Sequence, residues 1–356
     1  MSVAGRQRFR NRVRTKGRNQ FETATKMSSI RTHAVHLGEP LLCIEDGLHE
    51  EATANPPDVR LLRVRRPRIL HAVRNQSGAD AGVADRPFRT AARHYKARPP
   101  YSADLGRALS EQLGWDGSGR LLDVGSGPGT IALELAPAFA EVIALDPEPE
   151  MLAEGKATCR HSHVRWVEGR AEDIPLLGLG SFQAITLAQS LHRTDREKTL
   201  QIVHDSLKPG CALLLIHHAL RGFGMPERPG FTAQFPTGPA RIPPIPYEVI
   251  WDSIEGYLGF TPSPPAPDEE RYMALLRRSV FAGCEELILP GRRDIIRTPE
   301  SVLELLFSTS FAAPERFGPN LDEFRNEVLA KLYRLTDTGT FWDWPGDTEI
   351  LIARKA

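Results

Sequence analysis

Cysteine is scarce in this chain, with four residues among 356: Cys43, Cys159, Cys211 and Cys284. No two form a C-x-x-C pair, so neither a disulfide framework nor a thiolate zinc site is expected, and the thiols read as reduced, as in a cytoplasmic protein. Long apolar runs are missing as well. None approaches the roughly 18 residues of a membrane-crossing helix, and no apolar segment follows the basic N-terminal residues as a secretory signal requires. Net charge is also lacking, with 45 Lys plus Arg against 45 Asp plus Glu. That zero is an average over unlike parts. Residues 1–31 hold nine basic side chains and one acid, Glu22, so the remainder is acidic by the same eight charges. A body of that sign gives no general reason to expect nucleic acid as a partner.

What is present suits a globular protein: 41% hydrophobic and 25% charged residues, at a length that holds one large α/β domain plus additions. Residues 1–85 differ from the rest. Arg6, Arg8, Arg10, Arg12 and Arg14 alternate with polar or small residues. The segment reads as a disordered basic extension, an upstream stretch before a start at Met27, or an Arg-rich transit peptide. The folded part is expected over 86–356, with a helix over 88–96, another over 103–113, and a Pro-rich insertion or cap over 219–280.

The most telling stretch is Leu121-Leu122-Asp123-Val124-Gly125-Ser126-Gly127-Pro128-Gly129-Thr130. An apolar strand end, an acid, three alternating glycines and a helix start form the turn at which doubly wound α/β folds hold nucleotide-like cofactors. A dinucleotide fingerprint is G-x-G-x-x-G and receives a pyrophosphate. Here the spacing is G-x-G-x-G, and Asp123 would repel a pyrophosphate while suiting an ammonium or sulfonium. Val142-Ile143-Ala144-Leu145-Asp146 follows as a second strand ending in an acid. Its interval after Asp123 is that of a ribose-binding carboxylate, and a helix N-cap before Pro147 is the other reading of Asp146. Strands are also expected at 164–168, 182–187, 212–216, 285–289 and 349–353, alternating with helices. This predicts a Rossmann-like, mostly parallel seven-stranded sheet with helices on both faces and an antiparallel last strand.

The glycine segment resembles motif I of the class I S-adenosylmethionine-dependent methyltransferases, and the order of the segments after it is similar to their small-molecule branch over residues 88–356. The resemblance implies S-adenosylmethionine as cofactor, S-adenosylhomocysteine as product and no metal. It implies a cofactor turn at Asp123, Gly125, Ser126, Gly127 and Gly129, ribose contacts at Asp146 with Pro147 beside it, and Gln189 after the fourth strand. Adenine contacts are implied at Ala171 and at Glu172 or Asp173. Tyr95-x-x-Arg98-Pro99-x-Tyr101 resembles a lead-in that lies across the cofactor like a lid, which brings in Tyr95 and Arg98.

Methyl transfer from a sulfonium is an in-line displacement, so the protein mainly aligns the acceptor and sometimes removes a proton. The candidate base is His192, after the fourth strand. His217 and His218 end the fifth, and adjacent strand residues point oppositely, so both cannot face the site. Trp251, Trp342 and Trp344 are candidates for a substrate pocket or for core packing. Arg221, Arg241, Arg292 and Arg293 are candidates for a carboxylate clamp or for solvated surface. The expected partner is a small-molecule methyl acceptor, with no nucleic acid, no membrane and an open oligomeric state. Two rivals stand: a non-catalytic S-adenosylmethionine-binding regulator or partner subunit, and an NAD(P)-dependent oxidoreductase.

Overall fold

A computed structural model describes residues 86, 88–218, 238–239, 241–260 and 268–356. The expectations for residues 1–85, for Arg221 and for the parts of the Pro-rich stretch at 219–237, 240 and 261–267 lie outside the described residues. No helix among the described residues is long and apolar enough to cross a membrane.

Five parallel strands form the centre: β1 (Arg120–Val124), β2 (Glu141–Asp146), β3 (Val164–Glu168), β4 (Phe182–Ala188) and β5 (Leu207–His218). They lie in the order β3-β2-β1-β4-β5 and are followed by β9 (Thr348–Arg354) and β6 (Glu285–Leu289). β9 runs antiparallel to both of its neighbours. The predicted seven-stranded sheet with one reversed strand is what forms, and its order turns back between β1 and β4.

The apolar runs read as strands because both faces of the sheet are covered. Side chains alternate across each strand. Leu122, Ile143, Ile185, Leu213 and Leu351 enter one core, with Leu200 and Val203 of α4 (Arg196–Ser206) and Leu275 and Leu276 of α6 (Asp268–Arg278). Leu121, Val142, Ala184, Leu214 and Ile350 enter the other, with Leu105 and Leu109 of α1 (Leu105–Leu113) and Ile131 and Leu135 of α2 (Thr130–Leu135). The helix α3 (Pro149–Thr158) crosses from β2 to β3.

Residues 290–347 form an insertion between the paired strands β6 and β9. They carry β7 (Ile295–Arg297), α7 (Pro299–Phe307), a 3-10 segment (Pro314–Asn320), α8 (Leu321–Tyr333) and β8 (Phe341–Asp343). Thr298 caps α7, its hydroxyl oxygen accepting from the Ser301 amide at 3.3 Å. With α5 (Tyr247–Leu258), these elements close a third core around Phe307, Phe317, Phe324 and Phe341. β6 runs parallel to β5, so its carboxyl end and the start of β9 lie on the same sheet edge as the glycine turn. Chain inserted there arrives on the side of the cofactor turn by topology alone.

Two local expectations are corrected. The stretch 88–96 is a turn followed by a 3-10 helix (Ala92–Ala97), because Pro99 and Pro100 leave no room to propagate an α-helix beyond it. The helix after β2 begins at Pro149 with Glu148 as its N-cap residue, so Asp146 lies outside it.

Arg297 and Asp343 form an ion pair between β7 and β8, both about 95% buried. Removing one partner leaves an uncompensated charge in the interior. Asp343→Ala is expected to lower unfolding free energy by about 3–5 kcal/mol. The double change Arg297→Met with Asp343→Leu should cost clearly less, as measured by urea denaturation.

Candidate functional site

The glycine turn is built on hydrogen bonds to the end of β2. The amides of Gly125 and Ser126 donate to the Leu145 carbonyl at 2.8 and 3.0 Å. The Gly127 amide donates to Asp146 Oδ2 at 2.7 Å, and the Glu148 amide donates to Asp146 Oδ1 at 2.9 Å. One buried carboxylate thus ties the turn after β1 to the turn after β2. Gly125 and Gly129 have φ of 68° and 82°, where a side chain is strained. A Cβ at Gly125 would also lie 2.5 Å from the Ser190 Cβ, and one at Gly129 2.5 Å from the Trp166 ring. The Ser190 hydroxyl donates to the Val124 carbonyl at 2.7 Å, locking the turn after β4 against that after β1.

Asp123 lies beneath this turn rather than at its surface, being 1% exposed. Thr186 Oγ1 donates to its Oδ1 at 2.7 Å, and the Ala132 amide donates to Oδ2 at 3.1 Å. Burial outweighs both bonds and pushes its carboxyl up to about 7. Burial also raises the Asp146 and Glu148 carboxyls, the latter against the pull of Arg86. Three carboxyl groups therefore surround the turn, and Glu148 is one that the sequence reading missed. Its signal was the second acid of Asp146-Pro147-Glu148. Pro147 itself is exposed.

The adenine candidates form a 3-10 helix (Ala171–Leu176) after β3. Ala171 is buried. Asp173 Oδ2 accepts from the Arg170 amide at 2.9 Å, and Glu172 Oε1 accepts from the Asp195 amide at 3.0 Å. Gln189 has φ 55°, uncommon for a residue with a side chain, and its amide donates to the Ile216 carbonyl at 3.1 Å. His192 is exposed in the 3-10 turn that follows.

The lead-in is a strap fastened at several points. Arg86 pairs with Glu148 at 3.1 Å and also with Glu150. The Arg193 guanidinium lies 4.4 Å from the Phe88 ring centre, and its charge acts on Tyr95, Glu148 and Asp146. The Tyr95 ring lies against Gly127, 3.7 Å from where a Cβ would stand. His94 Nδ1 bonds Glu304 of α7, and Arg98 Nη2 donates to the Ser308 carbonyl just beyond α7 at 3.1 Å. Of the strap candidates, Tyr95 touches the turn, while Arg98 reaches toward the inserted helix. Arg86 and Arg193 were not singled out as site residues, since their partners are distant in sequence.

His217 and His218 diverge as the alternation requires. His217 faces Tyr272 of α6 at 5.8 Å between ring centres, and His218 stacks on Tyr101 at 4.2 Å and 6°. The tryptophans belong to the inserted layer. Trp342 Nε1 donates to the Arg293 carbonyl at 2.8 Å, and Trp251 packs on Phe311. Arg292 pairs with Asp294 at the surface. Among the described residues, no three His, Cys, Asp or Glu side chains come together as metal ligands.

Known proteins resemble this chain over the glycine turn and the strands that follow it. The family described as "Methyltransferase domain" matches residues 121–210. The ubiquinone/menaquinone biosynthesis C-methyltransferase UbiE of Geobacter sp. is 34% identical over 133 residues, covering 35% of this chain and 54% of that protein. An uncharacterised methyltransferase of Synechocystis sp. is 31% identical over 180 residues, covering 49% of this chain and 76% of that protein. The structure of SAM-bound CalS10, an amino pentose methyltransferase from Micromonospora echinaspora, is 26% identical with a TM-score of 0.30, covering 34% of this chain and 52% of that chain. The chain spans about half the length, or less, of the first curated relatives it matches.

Asp123 makes stability pH-dependent. An acid whose folded pKa lies above its unfolded value makes the folded state the better proton binder, so its contribution falls as pH rises from about 4 to about 7. Asp123→Asn removes that dependence. The unfolding free energy of the unaltered protein minus that of the variant should decrease from pH 5 to pH 8 in urea titrations. A difference that stays constant would mean the carboxyl is ionised throughout.

Proposed function

We propose that this chain, which belongs to the class I S-adenosylmethionine-dependent methyltransferases, binds S-adenosylmethionine on the glycine turn and transfers its methyl group to a small-molecule acceptor. The observation that carries the reading is Asp146. A carboxylate has about four lone-pair sites, and the amides of Gly127 and Glu148 take one on each oxygen. Acceptor capacity for two ribose hydroxyls remains. The G-x-G-x-G spacing in place of G-x-G-x-x-G, with no basic side chain in the turn, argues against a pyrophosphate and so favours this reading over NAD(P).

Gly125, Ser126, Gly127 and Gly129 form the floor on which the methionine part rests, with Asp123 fixing that floor from below. Pro147 flanks the ribose. Ala171 offers its backbone amide to the adenine ring, and Glu172 or Asp173 takes the exocyclic amine with the oxygen left over from its backbone tie. Gln189 bounds the methyl end. Tyr95 and Arg98, on one strap, close the pocket and exclude water. His192 is the candidate proton acceptor at the rim.

When bound, the sulfonium supplies an already activated methyl group. The chain's own contribution is alignment and exclusion of water, the effects that lower the barrier of a two-body displacement. The inserted layers after β5 and after β6 stand on the acceptor side.

Calorimetry with S-adenosylmethionine tests the cofactor assignment. Asp146→Ala removes a charged hydrogen-bond acceptor worth about 1.5–3 kcal/mol, so binding should weaken roughly 10- to 100-fold. Unchanged affinity in a folded variant would remove the ribose role. Formation of S-adenosylhomocysteine with a metabolite panel separates an enzyme from a non-catalytic binder. Nicotinamide nucleotide binding in place of S-adenosylmethionine would favour the oxidoreductase.

A further inference from the structure

A glycine in the middle of a helix is less stable there than alanine, so its presence needs a packing reason. Gly155 lies within α3 (Pro149–Thr158), is buried, and has no positive φ that would call for glycine. Space is what it provides. A Cβ there would lie 2.2 and 2.3 Å from Cη2 and Cζ3 of the Trp166 ring, and 2.8 Å from the Pro128 carbonyl oxygen. A Cβ at Gly129 would meet the same two ring atoms, at 2.5 and 3.0 Å. The outer edge of the Trp166 indole therefore fills the room that two missing side chains leave, one on α3 and one at the start of α2.

That room lies against the glycine turn. Pro128 and Gly129 are the last residues of the turn, and Gly129 is the N-cap residue of α2. Met151, four residues before Gly155 and so on the same face of α3, brings its Sδ to 3.9 Å from where a Cβ of Gly127 would stand. α3 thus meets the turn at two places, with Met151 at Gly127 and Gly155 at Pro128. Trp166 reaches the second place from β3, where it is in register with Ala144 of β2. The atoms that would be struck are a half-buried fused ring and a backbone carbonyl, not the free end of a flexible side chain. In a close-packed interior such a displacement passes to the neighbouring backbone.

We propose that Gly155 and Trp166 are positioning residues for the methyl donor. They set where the Pro128–Gly129 end of the turn lies, and with it the floor under the methionine part of S-adenosylmethionine. The inference rests on the cofactor reading and adds two residues outside the glycine motif, both acting through the turn rather than on the donor. In that reading the adenosine part is held elsewhere, at Asp146 and at Ala171 to Asp173. Shifting the floor therefore weakens binding of the whole donor and spares binding of its nucleoside.

The test is calorimetry on the full chain with S-adenosylhomocysteine and with adenosine, for Gly155→Ala, Trp166→Phe and the double variant. Gly155→Ala overpacks the notch, so S-adenosylhomocysteine binding should weaken about 10-fold or more while adenosine binding is unchanged. Phenylalanine is shorter than tryptophan and returns the room, so the double variant should recover most of the loss. Should Gly155→Ala not fold, Trp166→Phe carries the test. Its shortened ring leaves the turn unsupported, S-adenosylhomocysteine binding should weaken with adenosine binding unchanged, and adding Gly155→Ala should restore it by refilling the space. A purely structural role would lower the urea midpoint and leave the ratio of the two affinities as it was. Unchanged S-adenosylhomocysteine affinity in the folded single variant, equal losses for both ligands, or a double variant that binds no more tightly than that single variant overturns the proposal. If the unaltered protein does not bind S-adenosylhomocysteine, the cofactor reading fails and this inference with it; binding by the unaltered protein with no selective loss in the variants removes the inference alone.

Discussion

The carboxylate of Asp146 organises the site. Its two bonds to backbone amides join the turn after β1 to the turn after β2 across the sheet edge. Without them the Gly127 amide would be an unpaired donor in a buried loop, and Glu148 would lose the contact that sets the start of α3. The bonds are charge-assisted and hence stronger than neutral ones. They also explain why an acid tolerates this depth of burial, since each oxygen has a fixed dipole in place of water.

The strap and the insertions act on the same turn from above. Arg86 ties the strap to Glu148, Tyr95 rests on Gly127, and His94 and Arg98 reach α7 and the residue just beyond it. Any movement of α7 therefore moves the side chains that cover the turn. Exposed ion pairs are weak individually, and the strap is held by several modest ties rather than one strong one. Such an arrangement suits a cover that must open for the cofactor to exchange.

The sheet was legible because its signals are local. Leu121-Leu122 before Asp123, Val142 to Leu145 before Asp146, and the Leu213 to Ile216 run each carry burial on both faces within one short segment. The glycine spacing likewise places its turn without reference to anything distant. What was not legible depends on pairing across sequence. β7 and β8 are three residues each, and their buried contact joins Arg297 to Asp343 across 46 positions. Period-two alternation shows that His217 and His218 diverge, but only the packing of Tyr101 and Tyr272 tells which face each takes. The strap was expected as an α-helix from its composition, and the prolines after it favour the tighter turn that brings Tyr95 over Gly127.

The topology also explains why recognition of the acceptor lies away from the readable motifs. Only the carboxyl ends of β5 and β6 and the amino end of β9 open on the acceptor side, and both insertions begin there. They build a core of their own around Phe307, Phe317, Phe324 and Phe341. Their side chains can therefore change without disturbing the packing beneath the glycine turn. The cofactor half is constrained by backbone geometry, where one added Cβ collides with Ser190 or Trp166. A shared family identity thus fixes the donor chemistry, while the acceptor must be read from the corner where strap, β5 and insertion meet.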